Sequence, residues 1–247
     1  MKVLYIGGSG YVGRFLVPLL AREHSIRIFD RTDPGLADAE FFRGDATDYD
    51  GLFAAMDGVD VVLHGAMGDI DWSTPAAVAQ AYDVNVKSVH LTLLAAHDAG
   101  VPHAVHFSSL SVFDELMHRP CAEDDVPDAT DLYGLTKRLG EQVCRAAYAE
   151  WGVTVTILRL VWPTSDEDWP EWTRHGEPTP LRSPAGVVIE ATAASDLARA
   201  VLAALDHRDG CDVFTLSGDR SARLWSIDKA TRLLGWTPQG PDRLARS

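Results

Sequence analysis

Tyr133 and Lys137 stand four residues apart in the run Tyr133-Gly134-Leu135-Thr136-Lys137. On a helix that spacing puts both side chains on one face, a single turn apart. A phenol with an ordinary pKa of about 10 is a poor base at neutral pH. An ammonium about 4 Å away, at an effective dielectric of roughly 20, favours the phenolate by on the order of 4 kcal/mol before desolvation. That is enough to poise a tyrosine for acid–base work. A tyrosine and lysine four apart are common on exposed helices, so the pair needs context. The serine turn Ser108-Ser109-Leu110-Ser111-Val112-Phe113 supplies it. This turn follows a predicted strand, at the carboxyl edge where open α/β sheets bind ligands. A hydroxyl there can hold a reacting oxygen beside the phenol. Ser109 is the choice for that role, with Ser108 and Ser111 assigned to the turn itself.

A second constellation opens the chain. Gly7-Gly8-Ser9-Gly10-Tyr11-Val12-Gly13 follows an apolar run directly and leads into helical spacing. A pyrophosphate needs backbone N–H groups at a helix N-terminus with no side chain in the way. Gly7 suits the tight turn, Gly10 the close approach, and Gly13 the packing of helix on strand. Asp30 ends the second predicted strand, where a carboxylate can accept from adenosine ribose hydroxyls and would repel a 2′-phosphate. It favours NAD, while the neighbouring Arg31 keeps NADP open. Asp45, in Arg43-Gly44-Asp45-Ala46, follows the third strand and can reach an adenine amino group. A bound nicotinamide cation would add to the pull of Lys137 on the phenol.

These residues need elements to hold them. Strands are predicted at residues 3–6, 26–29, near 41–42, 59–64, 104–107 and 153–161. Helices are predicted at 11–22 (with Pro18 inside), 48–56, 76–99 in one or two pieces, and 131–151. Strand and helix alternate, which favours a parallel sheet covered on both faces. The fold class is therefore α/β: a Rossmann-type doubly wound parallel sheet with a small C-terminal substrate lobe. Residues 1–162 form the dinucleotide-binding core. Residues 163–247 form the lobe, and 186–217 return a helix and a strand to the core. Residues 163–184 hold Pro163, Pro170, Pro178, Pro180 and Pro184, and read as irregular. A last helix is predicted at 227–234.

Taken together, the chain resembles the extended short-chain dehydrogenase/reductases of the NAD-dependent epimerase/dehydratase family. The resemblance rests on Gly7, Gly10 and Gly13, on Asp30 and Asp45, on the serine turn ending in Val112-Phe113, and on Tyr133 and Lys137. Asn85 in Asp83-Val84-Asn85-Val86 and the closing Leu234-Gly235-Trp236-Thr237-Pro238 also match. The resemblance implies that Tyr133 exchanges a proton with a substrate hydroxyl while hydride moves to or from the cofactor. It implies that Lys137 also bonds the nicotinamide ribose and that Ser109 fixes the reacting oxygen. His64, Gly65 and Ala66 would line the cofactor, with Met67 extending the wall towards substrate. Asn85 would be a structural and proton-relay residue. A homodimer through the helix near 83–99 and the tyrosine-bearing helix is implied as well.

Several departures narrow the expected substrate. The segment after Val161 is short beside that of many nucleotide-sugar enzymes. Leu160-Val161-Trp162-Pro163 lacks the family's asparagine and its Tyr-Gly-Pro run, and Leu110 and Ser111 replace the acid pair of dehydratases. A small sugar-like or polyol substrate, such as a uronate or aldose, is expected. Arg174, His175 and Arg182 are candidates for its carboxylate, with Arg159 a weaker one. Trp72, Trp162, Trp169 and Trp172 can stack on a ring, although packing is the default for tryptophan. His103 and His106 read as core residues. The leading expectation is a dehydrogenase or reductase; an NAD-retaining epimerase and a non-catalytic NAD(P)-sensing protein are the alternatives.

Composition bounds the rest. A net charge of −14, from 36 acids against 22 lysines and arginines, argues against nucleic-acid and anionic-membrane partners. Cys121, Cys144 and Cys211 are odd in number and lack metal-ligand spacing, so neither a disulfide framework nor a metal site is expected. A reducing cytoplasm is the expected home. No apolar run approaches the roughly 18 residues of a membrane span.

Overall fold

Val3, Leu4, Tyr5 and Ile6 are fully buried, as a strand covered by helices on both faces must be. They belong to β1 (Lys2–Ile6), an interior strand of a seven-stranded parallel sheet. The computed structural model describes residues 1–68, 72–173, 176–221 and 224–241. From β1 the chain passes through α1 (Tyr11–Leu20) to β2 (Ser25–Asp30) and β3 (Ala39–Arg43), which extend one half of the sheet. It returns through α2 (Tyr49–Ala55) to β4 (Val61–His64) on the other side of β1. The second half then grows outward with α3 (Pro75–Tyr82), α4 (Ser88–Asp98), β5 (His103–Ser109), α5 (Leu132–Trp151) and β6 (Thr154–Val161). The direction of growth reverses between β1 and β4, the place where doubly wound sheets open a ligand crevice.

The proline-rich segment contributes only two-residue strands: β7 (Pro163–Thr164), β8 (Leu181–Arg182), β9 (Val188–Ile189) and β10 (Thr192–Ala193). β7 pairs with β10, and β8 with β9. After them α6 (Ala194–Asp206) packs beside α1, and β11 (Cys211–Ser217) adds to the sheet edge next to β6. α7 (Asp228–Leu234) closes on Gly235 at φ 63°, a left-handed helix stop suited to glycine. Trp236 behind it is buried and donates its indole N–H to the Asp196 carbonyl. Pro18 sits on the exposed side of α1, where the carbonyl it frees can be hydrated. The predicted helix at 76–99 is α3 and α4 joined by a π-helical turn, Asp83–Lys87. That turn carries Asn85 inward. Val59 lies before β4, because its N–H closes the turn that ends α2.

One face of the sheet packs on α1 and α6, the other on α2, α4 and α5. Within the second layer His64 and His106 lie opposite each other on β4 and β5, with ring centroids 5.2 Å apart. Both are buried, and His103 and His106 occupy the core as expected. His64 has a Ser88 hydroxyl at 2.8 Å, whereas both ring nitrogens of His106 lack a hydrogen-bond partner among the described residues. Burial pushes His64 down to about 3, and burial pushes His106 well below the ordinary imidazole range.

This pair limits acid stability. Both folded pKa values lie below the unfolded one, so below about pH 6.5 the unfolded chain takes up protons that the folded chain refuses, and stability falls. Each histidine should contribute a loss of about 1.4 kcal/mol per pH unit below that point. Denaturant midpoints compared between pH 7 and pH 5 should show it. His106→Leu should flatten the pH slope without lowering the midpoint at pH 7. An unchanged slope in that variant would refute the assignment.

Candidate active site

The phosphate loop takes its shape from two close approaches. Gly7 has φ +82°, and a Cβ there would lie 2.5 Å from the backbone of Ala66. A Cβ on Gly13 would meet the Gly8 carbonyl at 2.0 Å. Gly10 caps α1 without a side-chain bond, and no acid stands in the first turn. Its N-terminal N–H groups are thus directed at the cleft with no carboxylate competing for them. Asp30, at the end of β2, accepts from the Ser9 N–H at 3.1 Å and the Thr32 N–H at 3.3 Å. Asp45 accepts from the Thr47 N–H and hydroxyl at 2.8 and 2.7 Å, which hold its carboxyl below the usual range.

These residues line one end of a cleft of about 900 Å³, near the top of the roughly 300–1,000 Å³ usual for ligand sites. Gly7, Gly10, Tyr11, Val12, Gly13, Asp30, Arg31, Asp45 and Ala46 all reach it. Gly65, Ala66 and Met67 form its floor after β4, and Ser109, Tyr133 and Lys137 its far end. Two expected residues do not line it. His64 alternates away from its neighbours along β4 and turns its ring into the core against His106. Asn85 is buried behind the wall, accepting from the Gly68 N–H at 3.0 Å and donating to the Thr136 hydroxyl at 3.0 Å. It thereby ties the stretch after Met67 to the first turn of α5. Arg174 and His175 lie outside the described residues.

At the far end Asp131 caps α5 by accepting from the Gly134 N–H at 3.0 Å. Lys137 is buried, donates to the Phe107 carbonyl at 3.0 Å, and has its Nζ 5.9 Å from the Tyr133 ring centroid. Burial pushes its ammonium down to about 8, opposed by the Glu141 carboxylate. Trp72 lies nearly parallel to Tyr133, with centroids 6.3 Å apart. The serines divide their work differently from the expectation. Ser109 itself accepts from the Ser111 N–H at 3.1 Å and caps the short turn Leu110–Val112. Its own hydroxyl proton is still available to a ligand oxygen. Ser108 donates instead to Glu141 at 2.7 Å.

Arg159 is corrected from a possible substrate contact to an internal one. It is fully buried and forms a bidentate pair with Glu141, with both N–O distances 2.9 Å. Arg182 donates to the Gly186 carbonyl within the β8–β9 hairpin and does not reach the cleft. Trp169 donates to the Ala191 carbonyl and also stays outside it, whereas Trp72, Trp162 and Trp172 line it. Sequence reasoning did not single out Leu116 or Glu141. Leu116 has no signal in a single sequence. Glu141 continues the series Tyr133, Lys137, Glu141 at steps of four, and that periodicity could have found it.

The arrangement offers a phenol, a serine hydroxyl and a buried ammonium beside one open space, with a glycine-built anion cradle at the other end. A family model described as "NAD dependent epimerase/dehydratase family" matches residues 3–215. Among curated proteins, a 3 beta-hydroxysteroid dehydrogenase/Delta 5-->4-isomerase of Mycobacterium tuberculosis is 33% identical over 180 residues, covering 67% of this chain and 48% of that protein. YtbQ, an uncharacterized protein of Bacillus subtilis, is 26% identical over 249 residues, covering 96% and 94%. The chain spans 39% and 48% of the length of two such relatives, y4nG of Sinorhizobium fredii and the Mycobacterium tuberculosis protein. Among solved structures, uronate dehydrogenase from Agrobacterium tumefaciens superposes with a TM-score of 0.80 at 22% identity, covering 96% of this chain and 84% of that one. At that identity the likeness concerns the fold.

The Arg159–Glu141 pair makes a separate prediction. Removing one partner of a buried pair leaves an uncompensated charge, so Arg159→Met should cost about 3–5 kcal/mol in denaturant unfolding. Adding Glu141→Leu to that variant should recover much of the loss. A double variant no more stable than the single one would show that the pair is not coupled.

Proposed function

We propose, for a chain that belongs to the NAD dependent epimerase/dehydratase family, an oxidoreductase that transfers hydride between NAD and a hydroxyl-bearing carbon of a small substrate. The observation that carries it is one cleft holding the glycine loop and Asp30 at one end and Ser109, Tyr133 and Lys137 at the other. The residues present fit the dinucleotide. Bare glycine backbone and the uncapped start of α1 suit its pyrophosphate, and Asp30 suits ribose hydroxyls better than a 2′-phosphate. When bound, the nicotinamide supplies the hydride acceptor.

The chain's own residues handle the proton. Ser109 donates to the substrate oxygen and orients it. Tyr133 takes the hydroxyl proton, or returns it in the reverse direction. Lys137 stays protonated at neutral pH, since about 8 lies above it, and its charge favours the phenolate. Trp72 stands beside the phenol, nearly parallel to it at 6.3 Å between centroids, and lowers the polarity on that side. Tyr133→Phe should reduce kcat by about 10²–10⁴-fold while NAD affinity stays unchanged. In the wild type, kcat/KM should decline as pH rises through about 8, where Lys137 loses its proton. Full turnover by the Tyr133→Phe protein would remove the phenol from its role.

One observation favours a second reading, an epimerase that keeps its NAD. The Tyr11 hydroxyl donates to the carbonyls of Pro163 and Thr173, fastening the proline-rich segment across the glycine loop. Such a tie hinders cofactor exchange. Mass spectrometry of nucleotide released from freshly denatured protein separates the two. An empty protein supports the dehydrogenase, and a near-stoichiometric NAD yield supports the epimerase.

A further inference from the structure

The substrate end of the cleft has a chemistry of its own. Its walls are Met67, Trp72, Leu116, Trp162 and Trp172, and Met67 remains 36% exposed. Exposed apolar side chains gathered around a reacting centre mark a surface that a ligand covers. An aromatic wall alone would also suit the flat face of a sugar. A polyhydroxylated ring, however, needs partners around its rim, because each buried hydroxyl without one is unfavourable. Among the described residues this end offers few: besides the Ser109 and Tyr133 hydroxyls that meet the reacting oxygen, the Ser111 hydroxyl and the Trp172 indole N–H are the groups left without a partner. Ser108 is bonded to Glu141, Lys137 to the Phe107 carbonyl, and the Ser109 oxygen already accepts from Ser111.

Charge points the same way. Arg14 and Arg31 belong to the phosphate-loop end, so Lys137 is the one cation at the substrate end among the described lining residues. It lies buried against the Tyr133 ring. The adjoining groove, which shares Trp72, Leu116 and Tyr133 with the cleft, is bordered by Asp114, Glu115 and Asp131 with His118. All three acids are exposed. A carboxylate approaching through that groove meets its own sign of charge.

We infer that the site takes a neutral, largely apolar secondary alcohol, or the matching ketone, with a flat ring system lying against Trp72 and Leu116. Sugar acids and polyols are poor substrates. The inference rests on the hydride-transfer reading above. The alcohol gives a hydride to NAD and its hydroxyl proton to Tyr133, leaving the ketone, and the reverse reaction consumes NADH and a proton.

The test uses NAD-loaded protein and two probes, a neutral bicyclic pair (2-tetralol and 2-tetralone) and D-glucuronate. Binding is read by tryptophan fluorescence, and turnover by NADH formation. Tetralone should bind saturably, and kcat/KM for tetralol should exceed that for glucuronate by about tenfold or more. Trp72→Ala should weaken tetralol use by about tenfold, mainly through KM. Leu116→Arg, which plants a cation in the wall, should narrow the gap in favour of glucuronate. Tetralone binding with no turnover of either alcohol would keep the substrate class and sink hydride transfer. Preferred turnover of glucuronate, lost in Arg174→Ala, would keep hydride transfer and overturn the inference. Absence of tetralone binding would overturn it as well.

Discussion

A pair of opposite charges with no access to water fixes the geometry of this protein's reactive end. Arg159 on β6 and Glu141 on α5 are 0% and 1% exposed. A buried charge is tolerated only with its partner in place and its remaining hydrogen bonds met. Here the Glu141 carboxylate accepts from Arg159 twice and from Ser108 once. Those contacts join three elements: the helix carrying Tyr133 and Lys137, the strand ending in Ser109, and the strand beside it. A slip of α5 by one turn would break all three bonds, so the phenol cannot change register relative to the serine turn. Other cross-links follow the same logic. Asn85 ties the π-helical turn to Thr136, next to Lys137 on α5. Lys137 itself reaches the Phe107 carbonyl on β5.

The parts that were legible in the sequence are those governed by local periodicity. β1, its glycine loop and α1 could be read because a buried strand, a sterically forced turn and an amphipathic helix each have a short-range pattern. The same holds for the alternation that makes a parallel sheet. What was not legible depends on partners distant in the chain. Arg159 looks like any arginine on a strand until Glu141, 18 residues earlier, is seen beneath it. The direction of the His64 ring follows from strand alternation and the neighbouring position of His106 on β5, while the sequence alone suggests a cleft residue. Ser108 and Ser109 differ by one position in a strand, which decides which faces the helix and which ends the strand at the turn. The proline-rich segment has no period at all, and its two-residue strands form only through pairing with each other.

The cleft is also divided electrostatically along its length. One end gathers backbone N–H groups, two arginines and the two carboxylates Asp30 and Asp45, all suited to a charged nucleotide. The other sets Met67, Trp72, Leu116 and Trp162 around the hydroxyls of Ser109, Ser111 and Tyr133 and a single buried ammonium. Such a division lets an acidic protein bind an anionic cofactor, because the local field of the loop opposes the global charge.

Lys137 shows how narrow that arrangement is. Burial alone would drive its ammonium towards the neutral form, and a neutral lysine would do nothing for the phenolate. Glu141, one turn further along α5, pulls the other way, yet its charge is shared with Arg159. The result, about 8, leaves the lysine charged at neutral pH and easily discharged above it. A stronger carboxylate would hold the proton but lessen the field felt by Tyr133. A more distant one would leave burial less opposed and the ammonium pushed further down. The ion pair that fixes the register of α5 therefore also bears on the charge held beside Tyr133, so position and electric field at this end of the cleft rest on the same three side chains.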